Sequence, residues 1–463
     1  MGVESIGDSW MAPNPTRELA EFVVTTTSDR SLPPVESRAR DLLLDYCGVL
    51  IGGSVESAGS RAGRYACKDR SSEASVHLSG RATAPLAAMA NGIAAHALEL
   101  DDVTNESSLH PGVVVWPAVM AAVERAGGTF GDLLAAGVAG YEVTVRVGEA
   151  LNATSTYARG FHPTGVAGAI GAAAGAANVL GLDAERTQHA LGLAGSMASG
   201  SLAYVQNGSD GKRLNAGWAA HAGFLASDLA AAGLTGPVDV LTGTYGLLAA
   251  YSDDPQPLAL TAFDIEHPAM LDVAIKPYAC CRYIHPVIDA CRDLRADDRF
   301  ALAEMDRLSV SILPGVRPLI AEPTDRKRRP RNRVDAQFSV YYGAALTLVH
   351  GAPGLAGFEA PYLQDETVQR IADRVDVSHD PDLDARYPER WGCRLDVEML
   401  DGARWDVVVE DPRGDPRRPL SSAEVDEKFR SLAEPVDQRL AEAVLAWIRE
   451  GDLRSPVPTF SGG

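Results

Sequence analysis

Two stretches of this sequence combine acidic, basic and imidazole side chains closely enough to suggest proton-transfer chemistry. The first is His96-Ala-Leu-Glu-Leu-Asp-Asp102, which is followed by His110-Pro-Gly112. The second is Lys276-Pro-Tyr-Ala-Cys-Cys-Arg-Tyr-Ile-His285. Histidine exchanges protons near neutral pH, and lysine and arginine bind carboxylates. Together the two stretches predict a site that adds or removes a proton beside a carboxylate.

The first stretch has polar residues at helical spacing and then a histidine in a tight turn. His96, Glu99 and Asp102 are three residues apart, so on a helix they would follow one edge. His96 alone is best interpreted as a hydrogen-bonded core histidine. His110 lies beside Pro111-Gly112, and a histidine on a rigid loop is a common acid or base. We therefore predict that His110 is catalytic.

Two glycine-bearing loops run directly into helices rich in small residues. They are Arg159-Gly-Phe-His-Pro-Thr164 and Asn207-Gly-Ser-Asp-Gly-Lys-Arg213. Backbone N–H groups at the start of such helices help to bind an anion, which favours a role for His162 and Lys212. An ordinary surface lysine is the alternative interpretation of Lys212.

The second stretch and the helix after it supply cations and a tyrosine. Arg282 suits bidentate binding of a carboxylate. The stretch Ala336-Gln-Phe-Ser-Val-Tyr-Tyr342 opens a predicted helix that continues to His350. At the start of that helix, the Tyr342 hydroxyl can donate to a departing hydroxyl or an oxyanion. Core packing of Tyr342 with a satisfied hydroxyl is an equal interpretation.

Helical periodicity dominates most of the chain. Predicted helices follow Pro34 and cover residues 84–100, 115–127, 130–150, 163–180, 184–204, 215–234 and 238–251. Glycines at 168, 171 and 175 predict closely packed helices. An alternating strand pattern at 307–313 and the turn signal Asp401-Gly402 indicate strands after residue 270. A capping box at Ser421 returns the chain to helix.

These patterns predict a mainly α fold. A large all-helical domain comprises residues 1–270 and 421–463, and a smaller α+β lid domain comprises residues 271–420. The basic run at 326–333 is interpreted as a solvated loop, or as a lid edge that attracts anions.

Bulk composition limits the partners. A net charge of −20 opposes binding to nucleic acid or to an anionic membrane. Six scattered cysteines and an N-terminus without signal-peptide features favour a cytoplasmic protein. The uncharged run from 165 to 182 is mostly alanine and glycine, which opposes a membrane span.

Two other classes of function stay open on residue patterns alone. Asp101-Asp-Val-Thr-Asn105 is similar to the aspartate-rich Mg²⁺ site of helical isoprenoid enzymes, although no second metal motif follows. A non-enzymatic helical scaffold predicts that the polar residues named above do not converge in space. No GxSxG motif supports hydrolysis through an acyl-enzyme.

Taken in order, the motifs resemble the MmgE/PrpD family over nearly the whole chain. The resemblance is carried by the stretches at 96–102, 110–112, 159–164 and 276–285 and by Phe338-Ser-Val-Tyr-Tyr342. It implies a helical domain completed by the C-terminal segment, an α+β lid, a site in the cleft between them, a homodimer, and no metal or organic cofactor. Residues carried over as catalytic are His110, His162, Lys212, Lys276 and Tyr342. Those we assign to substrate binding are Glu99, Asp102, Arg282 and His285.

The resemblance implies a cofactor-independent lyase that acts on a small di- or tricarboxylate by removing a proton alpha to a carboxylate. We expect dehydration, as in 2-methylcitrate dehydratase. Epimerisation of a dicarboxylate such as iminodisuccinate and decarboxylation of the cis-aconitate type are the alternatives. Glu99 replaces an aspartate common in relatives, one extra residue precedes His110, and Val103 replaces a hydroxyl of the decarboxylase branch. The last two departures count against decarboxylation.

Overall fold

The computed structural model describes residues 14–30, 32–352 and 354–458. The helices are α1 Pro15–Thr25, α2 Pro33–Ser54, α3 Ser57–Ala66, α4 Ala84–Ala95, α5 Gly112–Ala126, α6 Phe130–Leu151, α7 Ala153–Ala158, α8 Pro163–Val179, α9 Ala184–Met197, α10 Gly211–Ala231, α11 Leu247–Tyr251, α12 His285–Ala296, α13 Arg317–Ile320, α14 Thr324–Arg328, α15 Arg333–Gln337, α16 Val340–His350, α17 Glu366–Ala372, α18 Pro381–Asp384, α19 Ser422–Ala433 and α20 Gln438–Glu450. The strands are β1 Ala74–Val76, β2 Gly80–Ala82, β3 Val103–Thr104, β4 Val273–Ala274, β5 Met305–Ser311, β6 Val375–Ser378, β7 Cys393–Met399 and β8 Arg404–Val409. The mainly α prediction with a small α+β part is confirmed.

The centre of the helical part is built from helices rich in alanine and glycine. Helix α8 packs against α6, α10 and α5. A Cβ atom added at Gly171 would lie 1.6 Å from Thr144 Oγ1, so α8 approaches α6 too closely for any larger residue. The close-packing interpretation of the glycine stripe is confirmed. Across the described residues, no helix combines the length and apolarity that crossing a membrane requires.

Several predicted helix boundaries are wrong. Helix α4 ends at Ala95 rather than at residue 100, and Glu99 has a left-handed backbone with φ of 57°. Helix α5 begins earlier than predicted, at Gly112, whose N–H donates to the Asp102 carboxylate at 2.9 Å. Residues 238–246 form turns rather than helix. The side chains of residues 96, 99 and 102 therefore project from an irregular loop and do not lie along one edge of a helix.

The α+β part contains a four-stranded sheet with the order β6-β5-β7-β8. Strands β5 and β6 are parallel, and the other pairs are antiparallel. The predicted turn at Asp401-Gly402 joins β7 to β8, with Gly402 at φ of 85°. Four arginines of the basic run form ion pairs, namely Arg326 with Asp335, Arg328 with Asp376, Arg329 with Asp373, and Arg333 with Glu56 and Glu359.

A two-residue strand pair joins the parts of the chain that carry the motifs. Val103 pairs with Ala274 and Thr104 pairs with Val273 in an antiparallel ladder. Glu99 to Asp102 come just before β3, and Lys276 comes just after β4. The ladder therefore brings the two chemistry-bearing stretches side by side.

The C-terminal helices pack back on α2. Arg449 forms an ion pair with Asp41 at 2.6 Å, and the capping box predicted at Ser421 is present. Lys428 forms an ion pair with Asp45 at 2.5 Å and donates to the Leu100 carbonyl oxygen at 2.7 Å. We therefore propose to group residues after 421 with the helical domain.

Candidate active site

A cavity of about 1040 Å³ lies between the helical part and the α+β part. Its walls come from both, because residues 99–212 form one side and residues 276–391 form the other. Six of the nine predicted site residues line it: Glu99, His110, His162, Lys212, Lys276 and Arg282. The convergence of these groups is the opposite of what a non-enzymatic scaffold predicts.

Glu99 and Lys212 form a bidentate ion pair at the cavity wall. Lys212 Nζ lies 2.5 and 2.6 Å from the two carboxylate oxygens of Glu99, and both side chains are buried. Lys276 Nζ lies 3.9 Å from Glu99 Oε2 and 3.4 Å from the Glu99 carbonyl oxygen. Burial alone would raise the pKa of Glu99, but Lys212 and Lys276 hold it below its usual value. Glu99 therefore stays anionic.

Asp101 is the residue around which the cluster is organised. Its Oδ2 lies 2.8 Å from His96 Nδ1 and 3.1 Å from His110 Nδ1, and its Oδ1 lies 3.7 Å from Lys276 Nζ. Burial opposes ionisation, yet His96, His110 and Lys276 together hold the pKa of Asp101 well below its usual value. A buried carboxylate is stable only with such partners.

The hydrogen bonds of His110 fix which ring nitrogen carries hydrogen. Its Nδ1 lies 2.7 Å from the Asp102 carbonyl oxygen, which can only accept. Nδ1 must therefore be the donor, and neutral His110 has its lone pair on Nε2. The backbone N–H of His110 donates to Thr164 Oγ1 at 3.1 Å, which ties the loop to α8.

His162 has the opposite arrangement. Asn215 Nδ2 lies 3.1 Å from the Ser201 carbonyl oxygen, so this atom is the amide nitrogen, and it lies 3.5 Å from His162 Nδ1. Because this N–H can only donate, the long contact assigns the acceptor role to His162 Nδ1 and the hydrogen to Nε2 in the neutral ring. His110 thus has a basic Nε2, whereas His162 has an Nε2–H group that can donate a hydrogen bond.

Burial keeps both histidines neutral. It lowers the pKa of His110 to about 4, although Asp101 opposes the shift. Burial and Lys212 lower the pKa of His162 well below its usual value. For Lys276, burial favours the neutral amine, but Asp101 and Glu99 outweigh it and raise the pKa. The site therefore combines uncharged imidazoles with an ammonium group.

Tyr342 lies away from this cavity. Its hydroxyl donates to the Gly357 carbonyl oxygen at 2.7 Å, its ring packs near Phe358, and only 1% of the residue is exposed. The satisfied-core interpretation fits these contacts, so we leave Tyr342 out of the proposed machinery.

Asp102 also turns away from the cavity. Its carboxylate accepts from Gly112 N–H at 2.9 Å and from the Tyr141 hydroxyl at 2.6 Å. Burial raises the pKa of Asp102 to about 7. These contacts suit a residue that anchors the start of α5 better than one that binds substrate.

Arg282 and His285 form a supporting pair behind the wall. Arg282 lines the cavity, but its Nη2 is paired with Asp415 at 3.0 Å. Its Nη1 lies 3.5 Å from His285 Nδ1, and His285 Nε2 lies 3.3 Å from the Cys280 carbonyl oxygen. His285 is fully buried and does not line the cavity. His285 therefore contacts Arg282 and not the cavity.

His96, Asp101 and His110 are close enough together to be tested as metal ligands, with ligand atoms within 4.8 Å of one another. Both Nδ1 atoms donate to oxygens, so neither offers a lone pair there, and the Lys276 ammonium already neutralises Asp101. The Asp101–Asn105 motif does not converge either, since Asp102 turns to Tyr141 and Asn105 donates to Asp415. In this arrangement the two Nδ1 atoms and Asp101 are engaged with one another rather than directed at a common cation.

Sequence reasoning missed three supporting residues. The sequence pattern indicates Asp101 only as a metal ligand. Asn215 belongs to no recognisable motif, and Gln337 lies in the predicted start of a helix. The Gln337 amide donates to the carbonyl oxygens of Leu98 and Ala279 at 3.0 and 2.8 Å, so it links the two stretches. Only the adjacency of Asp101 to Asp102 gave any signal.

Comparison with known proteins agrees with the motifs. Residues 17–259 match the MmgE/PrpD N-terminal domain, and residues 278–449 match the MmgE/PrpD C-terminal domain. The chain belongs to the MmgE/PrpD family. The cis-aconitate decarboxylase-like protein oryM of Aspergillus oryzae is 30% identical to this chain over an alignment of 484 residues. The alignment covers 99% of each chain.

Two further relatives of this MmgE/PrpD protein carry related names. The cis-aconitate decarboxylase of Aspergillus terreus is 29% identical over 75% of this chain and 74% of its own. The human cis-aconitate decarboxylase is 29% identical over 86% of this chain and 83% of its own.

Proposed function

We propose that this chain is a lyase for a small di- or tricarboxylate, and that its reaction passes through a carbanion beside a carboxylate. The carrying observation is that His110, with a free Nε2, and His162, with an Nε2–H, share one cavity with two lysines. A neutral imidazole is a competent base near pH 7. Ammonium groups stabilise the negative charge that develops on the substrate.

We propose dehydration as the reaction, because a neutral His110 is a base rather than an acid. His110 Nε2 takes the proton from the carbon alpha to a carboxylate, and the C–H electron pair becomes part of an enolate-like system. That electron pair then forms the double bond as the C–O bond to the neighbouring hydroxyl breaks. The His110 imidazolium returns its proton to the departing hydroxyl, so water leaves and His110 is restored. His162 Nε2–H donates to the leaving oxygen as its charge grows.

The lysines and Glu99 have separate roles in this scheme. Lys276 lies beside two carboxylates at 3.7 and 3.9 Å, longer than a direct hydrogen bond, so its ammonium can turn to a substrate carboxylate. Lys212 is held by Glu99 at 2.5 Å, which fixes its direction. Such preorganised donors each contribute roughly 3–4 kcal/mol to transition-state stabilisation in comparable sites.

Decarboxylation is a second candidate, favoured by the names of the relatives. The same carbanion forms when the C–C bond to a carboxylate breaks and CO₂ leaves, and carbon then takes a proton. That reaction needs His110 as an imidazolium. Because the pKa of His110 is about 4, decarboxylation should speed up as pH falls, whereas dehydration should slow down.

The test uses proton NMR of the purified protein with citrate, 2-methylcitrate and cis-aconitate in D₂O. We expect deuterium exchange alpha to a carboxylate together with alkene formation or CO₂ loss. His110→Gln should abolish all of these, and His162→Gln should slow turnover because the leaving oxygen loses its donor. The pH profile then separates dehydration from decarboxylation. Exchange that persists in both folded variants, or an absence of exchange and turnover with every acid, would refute the proposal.

A further inference from the structure

Most of the charged groups that line the cavity belong to one cluster around Glu99. The Glu99 carboxylate lies 2.5 Å from Lys212 Nζ and 3.9 Å from Lys276 Nζ, and Asp101 links Lys276 to His110. Arg282 also lines the cavity and is paired with Asp415. One further charged lining residue, Asp384, is already paired with His379 at 2.5 Å. The carboxylate-binding capacity is therefore concentrated at the Glu99 cluster.

Aromatic side chains form another part of the cavity wall. The Tyr157 hydroxyl donates to the Ser108 carbonyl oxygen at 3.2 Å. Tyr283 stacks on Trp391 with ring centroids 4.0 Å apart, and its hydroxyl lies 3.3 Å from that of Tyr387. All four residues line the cavity. Because the three tyrosine hydroxyls and the Trp391 ring N–H already have partners, the rings contribute mainly apolar surface.

Aliphatic side chains line the rest of the apolar part of the cavity wall. Leu202, Ala203 and Val205 lie on the helical side, and Leu313, Val316 and Leu319 lie on the α+β side. Val205 is 41% exposed although it lines a concave cavity. A Cβ atom added at Gly315 would meet nothing within 4 Å. Apolar surface left open in a cavity is a recognised mark of an apolar ligand.

The volume agrees with this division. Cavities of roughly 300–1,000 Å³ hold drug-sized ligands, and this one measures about 1040 Å³. A citrate-sized acid needs much less space and uses only charged contacts. The aromatic and aliphatic walls would then meet nothing but water.

We propose that the substrate carries an alkyl or aryl substituent several carbons long, whose carboxylates bind at the Glu99 cluster and whose hydrocarbon lies along the Tyr283–Trp391 wall. This inference rests on the proposed function, because it assumes that the charged end takes carboxylates. It assigns chain-length specificity to the residues at 202–205 and 313–319.

The test measures binding of inert 2-alkylsuccinates, from methyl to octyl, by isothermal titration calorimetry. Burying a methylene should lower Kd roughly three- to fourfold, so octylsuccinate should bind at least about 100-fold more tightly than methylsuccinate. The dimethyl ester of octylsuccinate lacks both charges and should bind at least about tenfold more weakly than the acid. An ester that binds as well as the acid would refute the inference.

Two variants locate the hydrocarbon. Ala203→Phe should fill the apolar end and remove the dependence on chain length, while methylsuccinate affinity stays within about twofold. Ala231→Phe, at an exposed alanine outside the cavity, is the matched control and should retain the dependence of affinity on chain length. If Ala203→Phe does not fold, Val205→Asp, at a 41% exposed position, should weaken only the long-chain ligands.

The outcomes separate the two proposals. If methylsuccinate binds but affinity does not change with chain length, the inference about the substituent fails and the proposed function stands. If no alkylsuccinate binds at all, both fail. Long-chain preference that survives Ala203→Phe and Val205→Asp alike would place the hydrocarbon elsewhere and overturn the inference.

Discussion

The acidic segment, residues 96–112, and the basic segment, residues 276–285, both approach the cavity but use their side chains differently. In the acidic segment, neighbouring aspartates diverge: Asp101 holds the histidines, whereas Asp102 holds the start of α5. In the basic segment, Lys276 reaches the cluster, whereas Arg282 is largely engaged by Asp415. Each segment therefore supplies few reacting groups and several residues that hold them in place.

The difference shows what decides a side chain's role here. Around the short β3–β4 ladder, residues 96–102 and 275–281 lie outside the helices and strands. The direction of each side chain there follows from local backbone hydrogen bonds and not from a helical or strand period. Sequence distance from a motif is then a poor guide to function. Substitutions at matched positions in the two segments test this distinction.

The largest effect is expected from the histidines. His110→Gln should lower kcat roughly 100- to 10,000-fold, because it removes the proposed base. His285→Gln is the matched change in the basic segment and should lower kcat less than about tenfold, since His285 acts only through Arg282. Steady-state kinetics on folded protein, checked by circular dichroism, would measure both. Equal losses of kcat in His110→Gln and His285→Gln would contradict the distinction between the acidic and basic segments.

The next effect concerns Asp101. Asp101→Asn should lower kcat about 10- to 100-fold, because it loosens His96, His110 and Lys276 together. For a dehydratase, kcat/KM should fall only below about pH 5, as His110 with its pKa of about 4 gains a proton. Asp101 opposes the lowering of that pKa, so its removal should shift the acidic limb to lower pH. A shift of the acidic limb to higher pH would contradict the pairing of Asp101 with His110.

Asp102→Asn should change stability rather than catalysis. The wild-type pKa of about 7 lies above the ordinary 3.8, so the contribution of Asp102 to stability is present below pH 3.8 and is lost as pH rises through 7. The variant should be less stable by about 1–3 kcal/mol at pH 5, and the difference should narrow by pH 8. Urea unfolding at both pH values would measure it. A constant difference, or a loss of kcat as large as that of Asp101→Asn, would contradict the role given to Asp102.

The smallest effect is expected outside both segments. Tyr342→Phe removes one buried hydrogen bond to Gly357 and should cost about 1 kcal/mol of stability with kcat changed less than twofold. Thermal unfolding and kinetics on the same preparation would test this. A tenfold loss of kcat would return Tyr342 to the catalytic set.

Much of the architecture could be predicted from the sequence, because helix periodicity, the Asp401-Gly402 turn and the Ser421 capping box are local signals. The stretches that converge were also predictable. Their internal geometry was not, because α4 ends at Ala95 and Glu99 then adopts a left-handed backbone. That turn directs Glu99 towards Lys212, a partner 113 residues away.

The roles of Asn215 and Tyr342 were hidden for a related reason. Asn215 acts through a single contact to His162 and one to Ser201, neither of which has a sequence signature. Tyr342 belongs to a family motif, yet its hydroxyl is bonded to Gly357. In both cases the decisive information is a long-range hydrogen-bond partner.

Lys428 links the end of the chain to its beginning. It neutralises buried Asp45 and binds the Leu100 carbonyl oxygen, one residue after Glu99. During synthesis on a ribosome, the loop that carries Glu99 therefore lacks its final brace until α19 has left the exit tunnel. A nascent chain halted before Ser422 should remain open to proteases near Leu100, so maturation of the cavity is a late event in the life of the polypeptide.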